Sequence, residues 1–277
     1  MEQKSLTISA VQMCSKIGDK YGNFEKAAAL ISRDTDKSVD VIILPEVWTV
    51  GWNPRYFRQS AENIENCAVI NFLSEIARKY NAYIIGGSFI EKADDETYYN
   101  TCPVLDRNGT LIAKYSKNHL YSAYGADEST YVKAGESPVM VDIDGIKTGI
   151  TICYDIRFPE IFRSYRQSGA ELLVNMAAWG AKKPLAWETL TRARAIENQA
   201  FMVALTQSGK ITDDEWNIGH SRIFDYLGKT VTEIKDQKEG VMTISIDFSD
   251  MRKYRKECLI MNDLKKSYEV KYYAKVH

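Results

Sequence analysis

The chain has 277 residues, enough for one large domain or two small ones. Hydrophobic residues make up 45% and charged residues 26%, the ordinary balance of a soluble globular protein. Its 36 basic and 37 acidic side chains leave a net charge of −1, so no whole-chain field favours nucleic acid or an anionic membrane.

Strand and helix signals alternate along the chain. Leu6–Met13 reads as a strand, Phe24–Ser32 as a helix capped by Asn23, and Val41–Leu44 as a short buried strand. Apolar residues at Ile64, Ala68, Phe72, Ile76 and Tyr80 predict a helix over Glu62–Tyr80, and Ala82–Phe89 predicts the next strand. Tyr98–Asp106 and Thr110–Tyr115 flank Asn108-Gly109, the signature of a β-hairpin. A polar loop from Asn118 to Ser137 precedes a second hairpin, Val139–Ile143 and Ile146–Cys153 around Asp144-Gly145. Pro159 fits the first turn of a helix reaching Ser168. A strand at Leu172–Asn175, a helix over Leu185–Gln199, and strands at Phe201–Thr206, His220–Asp225 and Val241–Ile246 complete the pattern. No linker or fixed-period repeat interrupts it. One domain of two packed mixed sheets with helices outside suits this order better than a single parallel sheet. The polar stretch Met251–His277, with scattered tyrosines, is expected to be an arm against a partner subunit.

No apolar run approaches the roughly 20 residues that span a bilayer. Met1-Glu2-Gln3-Lys4 and the alternating segment after it lack the apolar core of a signal peptide, so the expected location is the cytoplasm. Cys14, Cys67, Cys102, Cys153 and Cys258 are scattered, odd in number and without CxxC spacing, which argues against a disulfide framework or a zinc site. His119, His220 and His277 lack metal-ligand spacing, and no cofactor is expected.

Three predicted strands end in chemistry-bearing residues. Val41-Ile42-Ile43-Leu44-Pro45 delivers Glu46, Leu111 to Ser116 delivers Lys117, and Gly149 to Ile152 delivers Cys153. Open α/β sheets build active sites at such strand ends. A thiol becomes a strong nucleophile when a base takes its proton, and an ammonium can hold the oxyanion of a tetrahedral intermediate. Glu46 supplies the base, Lys117 the cation, and the backbone N–H of Tyr154 a second oxyanion donor. Acyl transfer from an amide suits this kit. Taken singly, each residue has a plainer role: a surface carboxylate, a solvated lysine, an inert buried thiol. His119 could be offered as the base of a Cys–His pair, but Glu46 already fills that place. Glu188, Arg192 and Glu197, on one predicted helix, fit a structural ion-pair network better than substrate contact.

Longer motifs bring these residues together. Ile43-Leu44-Pro45-Glu46, Tyr115-Ser116-Lys117-Asn118-His119-Leu120, Cys153-Tyr154-Asp155-Ile156-Arg157-Phe158-Pro159-Glu160, Asn175-Met176-Ala177-Ala178-Trp179 and Arg192-Ala193-Arg194-Ala195-Ile196-Glu197-Asn198 follow one another in order. Together they resemble the nitrilase superfamily of carbon–nitrogen hydrolases, from Ala10-Val11-Gln12 to about Phe248. Met176 departs from the pattern, standing where many relatives carry proline.

The resemblance implies an α-β-β-α sandwich and a Glu46–Lys117–Cys153 mechanism through a thioester, with water activated by Glu46. It implies a supporting glutamate seven residues before a glycine; Glu128 before Gly135 fits, with Asp127 its competing neighbour. It also implies a homodimer paired through the helices of the cysteine and Arg192–Asn198 blocks. The cysteine block looks most like the ω-amidase branch, which hydrolyses the terminal amide of dicarboxylate monoamides such as 2-oxoglutaramate. Such a substrate needs a cation for its far carboxylate, and Arg157 is the candidate, with a structural ion pair as its other role. Trp48, Tyr121, Ala178 and Trp179 lie near the blocks and are expected to wall the pocket. N-carbamoyl compounds and nitriles are the alternative substrates. Outside the class stand an inactive binding module and a redox-sensing thiol, which would need Cys14 or Cys102 beside Cys153.

Overall fold

The structure, a computed structural model, describes residues 5–35, 38–94, 96–122, 127–265 and 267–273. Its strands are β1 (Ser5–Gln12), β2 (Val41–Ile43), β3 (Tyr83–Ile85), β4 (Phe89–Lys92), β5 (Tyr98–Leu105), β6 (Leu111–Ser116), β7 (Val139–Ile143), β8 (Ile146–Ile152), β9 (Leu172–Ala177), β10 (Phe201–Thr206), β11 (Arg222–Phe224), β12 (Thr230–Glu233) and β13 (Gly240–Asp247). The helices are α1 (Lys20–Asp34), the single turn α2 (Phe57–Ser60), α3 (Ala68–Tyr80), α4 (Pro159–Gln167), α5 (Pro184–Asn198) and α6 (Ser249–Glu257).

Two mixed sheets form. One runs β13-β1-β2-β3-β5-β4 with β6 also on β5, and the other runs β12-β11-β10-β9-β8-β7. At the centre of the first, β1, β2 and β3 are parallel, as are β8, β9 and β10 in the second. Strands covered on both faces need apolar residues at successive positions. Val41 and Ile43 accordingly enter the main core with Leu6, Ile8 and Ala10, whereas Ile42 and Leu44 enter the layer beneath α1 and α3. Ile161, Phe162 and Tyr165 of α4 and Trp187 and Ala195 of α5 cover the second sheet. Helix, sheet, sheet and helix are thereby stacked, the sandwich that the motif order implies.

Several boundaries shift for local reasons. Helix α1 begins at Lys20 because Asp19 caps it, accepting from Gly22 N at 3.1 Å. Asn23 instead lies inside the helix, and its amide donates to Lys16 O and Thr49 O. Helix α3 begins at Ala68, after an Asn63 turn in which Oδ1 accepts from Glu65 N. Gly86-Gly87-Ser88 splits the expected Ala82–Phe89 strand into β3 and β4. The expected polar arm starts as a helix, α6, followed by a 3₁₀ turn at Ile260–Asp263 and an exposed stretch without regular structure. Residues 123–126 of the expected loop, and 266 and 274–277 of the expected arm, lie outside the described residues. Among the described residues no helix is long and apolar enough to cross a membrane.

Candidate active site

The carboxyl ends of β2, β6 and β8 meet at one edge of the sandwich. Past β2 the chain reverses sharply. Val47 takes φ +44°, a rare conformation for a β-branched residue, and Gly87 stacks against the same turn. A Cβ on Gly87 would lie 2.1 Å from Pro45 O, so only glycine admits this approach. The turn aims Glu46 inward, where it is fully buried. Its Oε1 accepts from Lys117 Nζ at 2.9 Å and from Asn100 Nδ2 at 3.0 Å, and its Oε2 accepts from Ala178 N at 2.8 Å. Gln207 Nε2 donates to its backbone carbonyl at 2.6 Å.

Lys117, also fully buried, extends the β5–β6 ladder by one bond, donating its N–H to Asn100 O at 2.9 Å. Its ammonium sits between two carboxylates, 2.9 Å from Glu46 Oε1 and 2.9 Å from Glu128 Oε2. Its Nζ also lies 5.0 Å from the centroid of the Trp52 ring. Glu128 is held by Tyr121 N at 2.8 Å. Asp127 instead caps the local 3₁₀ turn through Ser129 N, so of the two acids it is Glu128 that stands beside Lys117.

Cys153 follows β8 directly, at φ +45° and 8% exposed, on the first position of a 3₁₀ turn, Cys153–Arg157. Asp155 organises that turn. Fully buried, it accepts from Ile152 N at 2.9 Å, Tyr115 Oη at 2.6 Å and His119 N at 2.9 Å. His119 Nδ1 lies 2.8 Å from Asp155 Oδ1 and, facing a carboxylate, is the donor there. Arg194 of α5 donates to Ile156 O through Nε and Nη2, at 3.0 and 2.7 Å. The turn is thereby pinned from both the lysine strand and the second helix layer.

The electrostatics suit a concealed proton. Burial, and then the Glu46 carboxylate, push the Cys153 thiol well above its usual range, while Lys117 pulls the other way. Burial also raises Glu46, against the pull of Lys117. For Lys117, burial favours the neutral form, but Glu128 and Glu46 outweigh it and hold the ammonium well above its ordinary value. Thiol and carboxylate are thus both shifted toward their protonated forms, beside an ammonium held in its charged form.

Residues 7–256 match the carbon-nitrogen hydrolase family model. The chain belongs to the carbon–nitrogen hydrolase family. This hydrolase is 33% identical over 260 residues to a 2-oxoglutaramate amidase of Bacillus subtilis, covering 94% of this chain and 98% of that one. It is 32% identical over 246 residues to an ω-amidase of Xenopus laevis, covering 86% and 87% of the two chains. A solved carbon–nitrogen hydrolase superfamily protein of Xanthomonas campestris, which carries an arsenic adduct in its active site, superposes with a TM-score of 0.87 at 28% identity over 97% of this chain and all of that one.

Around the hydrolase cluster, pocket candidates divide. Trp48 is not a wall residue. The Val47 reversal turns it away, fully buried, with Nε1 donating to Gly86 O at 2.8 Å and its ring 5.3 Å from Phe24 and 5.6 Å from Phe72. The other candidates close a circuit. Tyr121 meets Tyr154 edge-on at 5.4 Å, and the Arg157 guanidinium lies 5.7 Å from the Tyr154 centroid and 5.2 Å from that of Trp179. Trp179 Nε1 donates to Lys183 O at 3.0 Å, and Lys183 Nζ donates to Tyr121 Oη at 2.8 Å. Arg157 has no carboxylate partner among the described residues. Ala178, at 9% exposure, contributes the N–H that fixes Glu46. A cavity of about 260 Å³ opens beside Trp52, Tyr121 and Glu128. A larger one, about 520 Å³ and lined by Cys14, Lys26 and Lys210, includes none of the cluster residues.

Sequence reasoning gave no role to Asn100, Asp155, Gln207, Trp52 or Lys183. Asp155 lay within the cysteine block, and Asn100 is the polar member of the alternating set Tyr98, Asn100, Cys102 and Val104. Those were the available signals. Cys102 is fully buried, with burial raising its thiol, and Cys14 packs against Gly209. All five cysteines are free.

Proposed function

We propose that this hydrolase cleaves the terminal amide of small dicarboxylate monoamides, 2-oxoglutaramate foremost, and releases ammonia. Cys153 Sγ attacks the amide carbon while its proton passes to Glu46, which hands it to the departing nitrogen. The developing oxyanion is met by Lys117 and by Tyr154 N–H; an ammonium has three donors, and two carboxylates already engage it. The first N–H groups of a helical turn have no acceptor within the turn, which leaves Tyr154 N–H available. Glu46 then deprotonates a water that hydrolyses the thioester, giving the free acid and restoring the thiol. Glu128 keeps Lys117 charged and aimed.

The single observation that carries the substrate class is Arg157. It stands four residues past the nucleophile, half-buried between aromatic faces with no carboxylate partner among the described residues. That arrangement offers a planar, bidentate cation to a substrate carboxylate. The relatives named for 2-oxoglutaramate and ω-amides support the same choice. We further propose that the protein works as a homodimer.

The test is ammonia release from 2-oxoglutaramate, succinamate, butyramide, an N-carbamoyl amino acid and a nitrile. The expected order places the two anionic amides first. Cys153→Ala is expected to abolish turnover with an unchanged melting temperature. Arg157→Met is expected to raise KM at least ~10-fold for 2-oxoglutaramate, the loss of one charged hydrogen-bonded contact, and to leave butyramide unaffected. Equal loss on both substrates would remove Arg157 from carboxylate recognition, and turnover by Cys153→Ala would remove the mechanism.

A further inference from the structure

Asn100 is fully buried on β5, at the point where three ionisable side chains converge. Its amide uses its donors completely and its acceptor not at all. Nδ2 donates to Glu46 Oε1 at 3.0 Å and to Glu128 Oε1 at 3.2 Å, while Oδ1 is buried without a hydrogen-bond partner. The same two carboxylate oxygens receive Lys117 Nζ, at 2.9 and 3.2 Å. The main-chain carbonyl of Asn100 accepts Lys117 N–H, so the residue also fixes where the lysine leaves its strand.

Two carboxylates facing one ammonium in a dry site pose a charge problem. Like charges at short range force a proton onto one of them, and a protonated Glu46 cannot serve as a base. A second cation would settle the charge but would leave Lys117 less basic and compete for the oxyanion. A neutral amide with two N–H groups, one for each carboxylate, stabilises both anions and adds no charge. An orphaned buried acceptor is a cost that native interiors seldom accept, and it is explained if the residue is kept for its donors.

We infer that Asn100 is a positioning residue of the amidase, bridging Glu46 and Glu128 around Lys117 so that Glu46 remains the base. The inference rests on the base role of Glu46 proposed above. The groups facing the Glu46 carboxylate are Lys117 from the end of β6, Glu128 from its 3₁₀ turn, the Cys153 thiol after β8 and the neutral N–H of Ala178 after β9. Without the Asn100 amide, Glu46 binds its proton more tightly and activity is lost at a higher pH on the acid side.

The experiment needs no substrate. Carbamidomethylation of Cys153 by iodoacetamide is followed by intact mass between about pH 5 and 9, a range that starts above the ordinary carboxylate pKa. The wild-type rate is expected to fall along an acid limb that Glu46→Gln abolishes. Asn100→Leu, which removes both donors, is expected to move that limb up by ~1 unit, the scale of one hydrogen bond to a charged group. Asn100→Asp, nearly isosteric but charged, is expected to move it further. Above the limb both variants recover toward the wild-type rate. A limb that stays in place while the rate drops equally at every pH in either folded variant would overturn the inference and leave Asn100 a structural residue. A wild-type limb that survives in Glu46→Gln would instead overturn the base role itself, and this inference with it. Melting curves identify a variant that does not fold, in which case the other decides.

Discussion

A single buried carboxylate, Asp155, sets the posture of the nucleophile. Cys153 sits at φ +45°, a conformation that costs a non-glycine residue about 1–3 kcal/mol unless its surroundings hold it. Asp155 holds it by gathering Ile152 N, Tyr115 Oη and two His119 groups. His119 stacks on Phe158 at 3.8 Å, which fixes its ring for that contact. Asp155→Asn keeps the shape but points an amide N–H at donors. It is expected to lower kcat by ~10²-fold, because the nucleophile and the Tyr154 N–H move together. The melting temperature is expected to fall by roughly 5 °C, the equivalent of ~2 kcal/mol in a chain of this size. Steady-state kinetics and a thermal scan check both, and an unchanged kcat with a lowered melting temperature would reduce Asp155 to a stability residue. Glu46, Lys117 and Cys153 were legible in sequence because each ends a predicted strand and a longer motif groups them. Asp155 and Asn100 were not, since hydrogen bonds across 36 and 54 residues leave no local pattern. Trp48 misled because it was placed in the pocket for its nearness to the glutamate block, whereas the left-handed backbone at Val47 turns it away.

At the scale of elements, the site depends on how closely β3 can approach the turn after β2. Gly86 and Gly87 end β3, and Gly87, at φ +64°, admits Ser88 N–H to Pro45 O and Ser88 Oγ to Val47 N–H. Gly87→Ala meets both a positive φ and a Cβ contact of 2.1 Å with main chain, so the Glu46 turn must move. The expected result is a loss of at least ~2 kcal/mol in stability, from denaturant unfolding, together with a fall in kcat. Full activity in a destabilised variant would separate this turn from the chemistry. The break in the expected Ala82–Phe89 strand falls at Gly86-Gly87-Ser88, a turn signal outweighed by the apolar residues on either side. The converse failure is α6, whose Ser249-Asp250-Met251-Arg252-Lys253 opening is almost wholly polar. It buries Met251 and ties down through Arg252 on Glu171, contacts that hydropathy cannot reveal.

At the scale of the whole molecule, the second helix layer and the segment after it expose apolar side chains. On the second layer, α5 leaves Leu185 and Ile196 at 77% and 47% exposure, and the segment beyond α6 exposes Leu259, Ile260 and Leu264. Arg163 of α4 reaches Glu197 O and Met261 Sδ, and Gln199 donates to Cys258 O, so that segment lies across the ends of α4 and α5. Beyond it, Tyr268, Val270 and Tyr272 are each more than 70% accessible. Apolar residues exposed on α5 and on the segment after α6, in a chain with a net charge of −1, favour self-association more than solvation. A homodimer through α4, α5 and this segment would also clamp the cysteine turn, because Arg194 joins α5 to Ile156 O. Light scattering at micromolar concentration is expected to give twice the chain mass of 31.5 kDa. Ile196→Asp combined with Leu259→Asp is expected to give the monomer and to lower kcat, by loosening α5 from the turn that carries Cys153. A wild-type monomer would dispose of the dimer and leave the chemistry of Glu46, Lys117 and Cys153 intact. A dimer unaffected by the two charges would move the interface to another face.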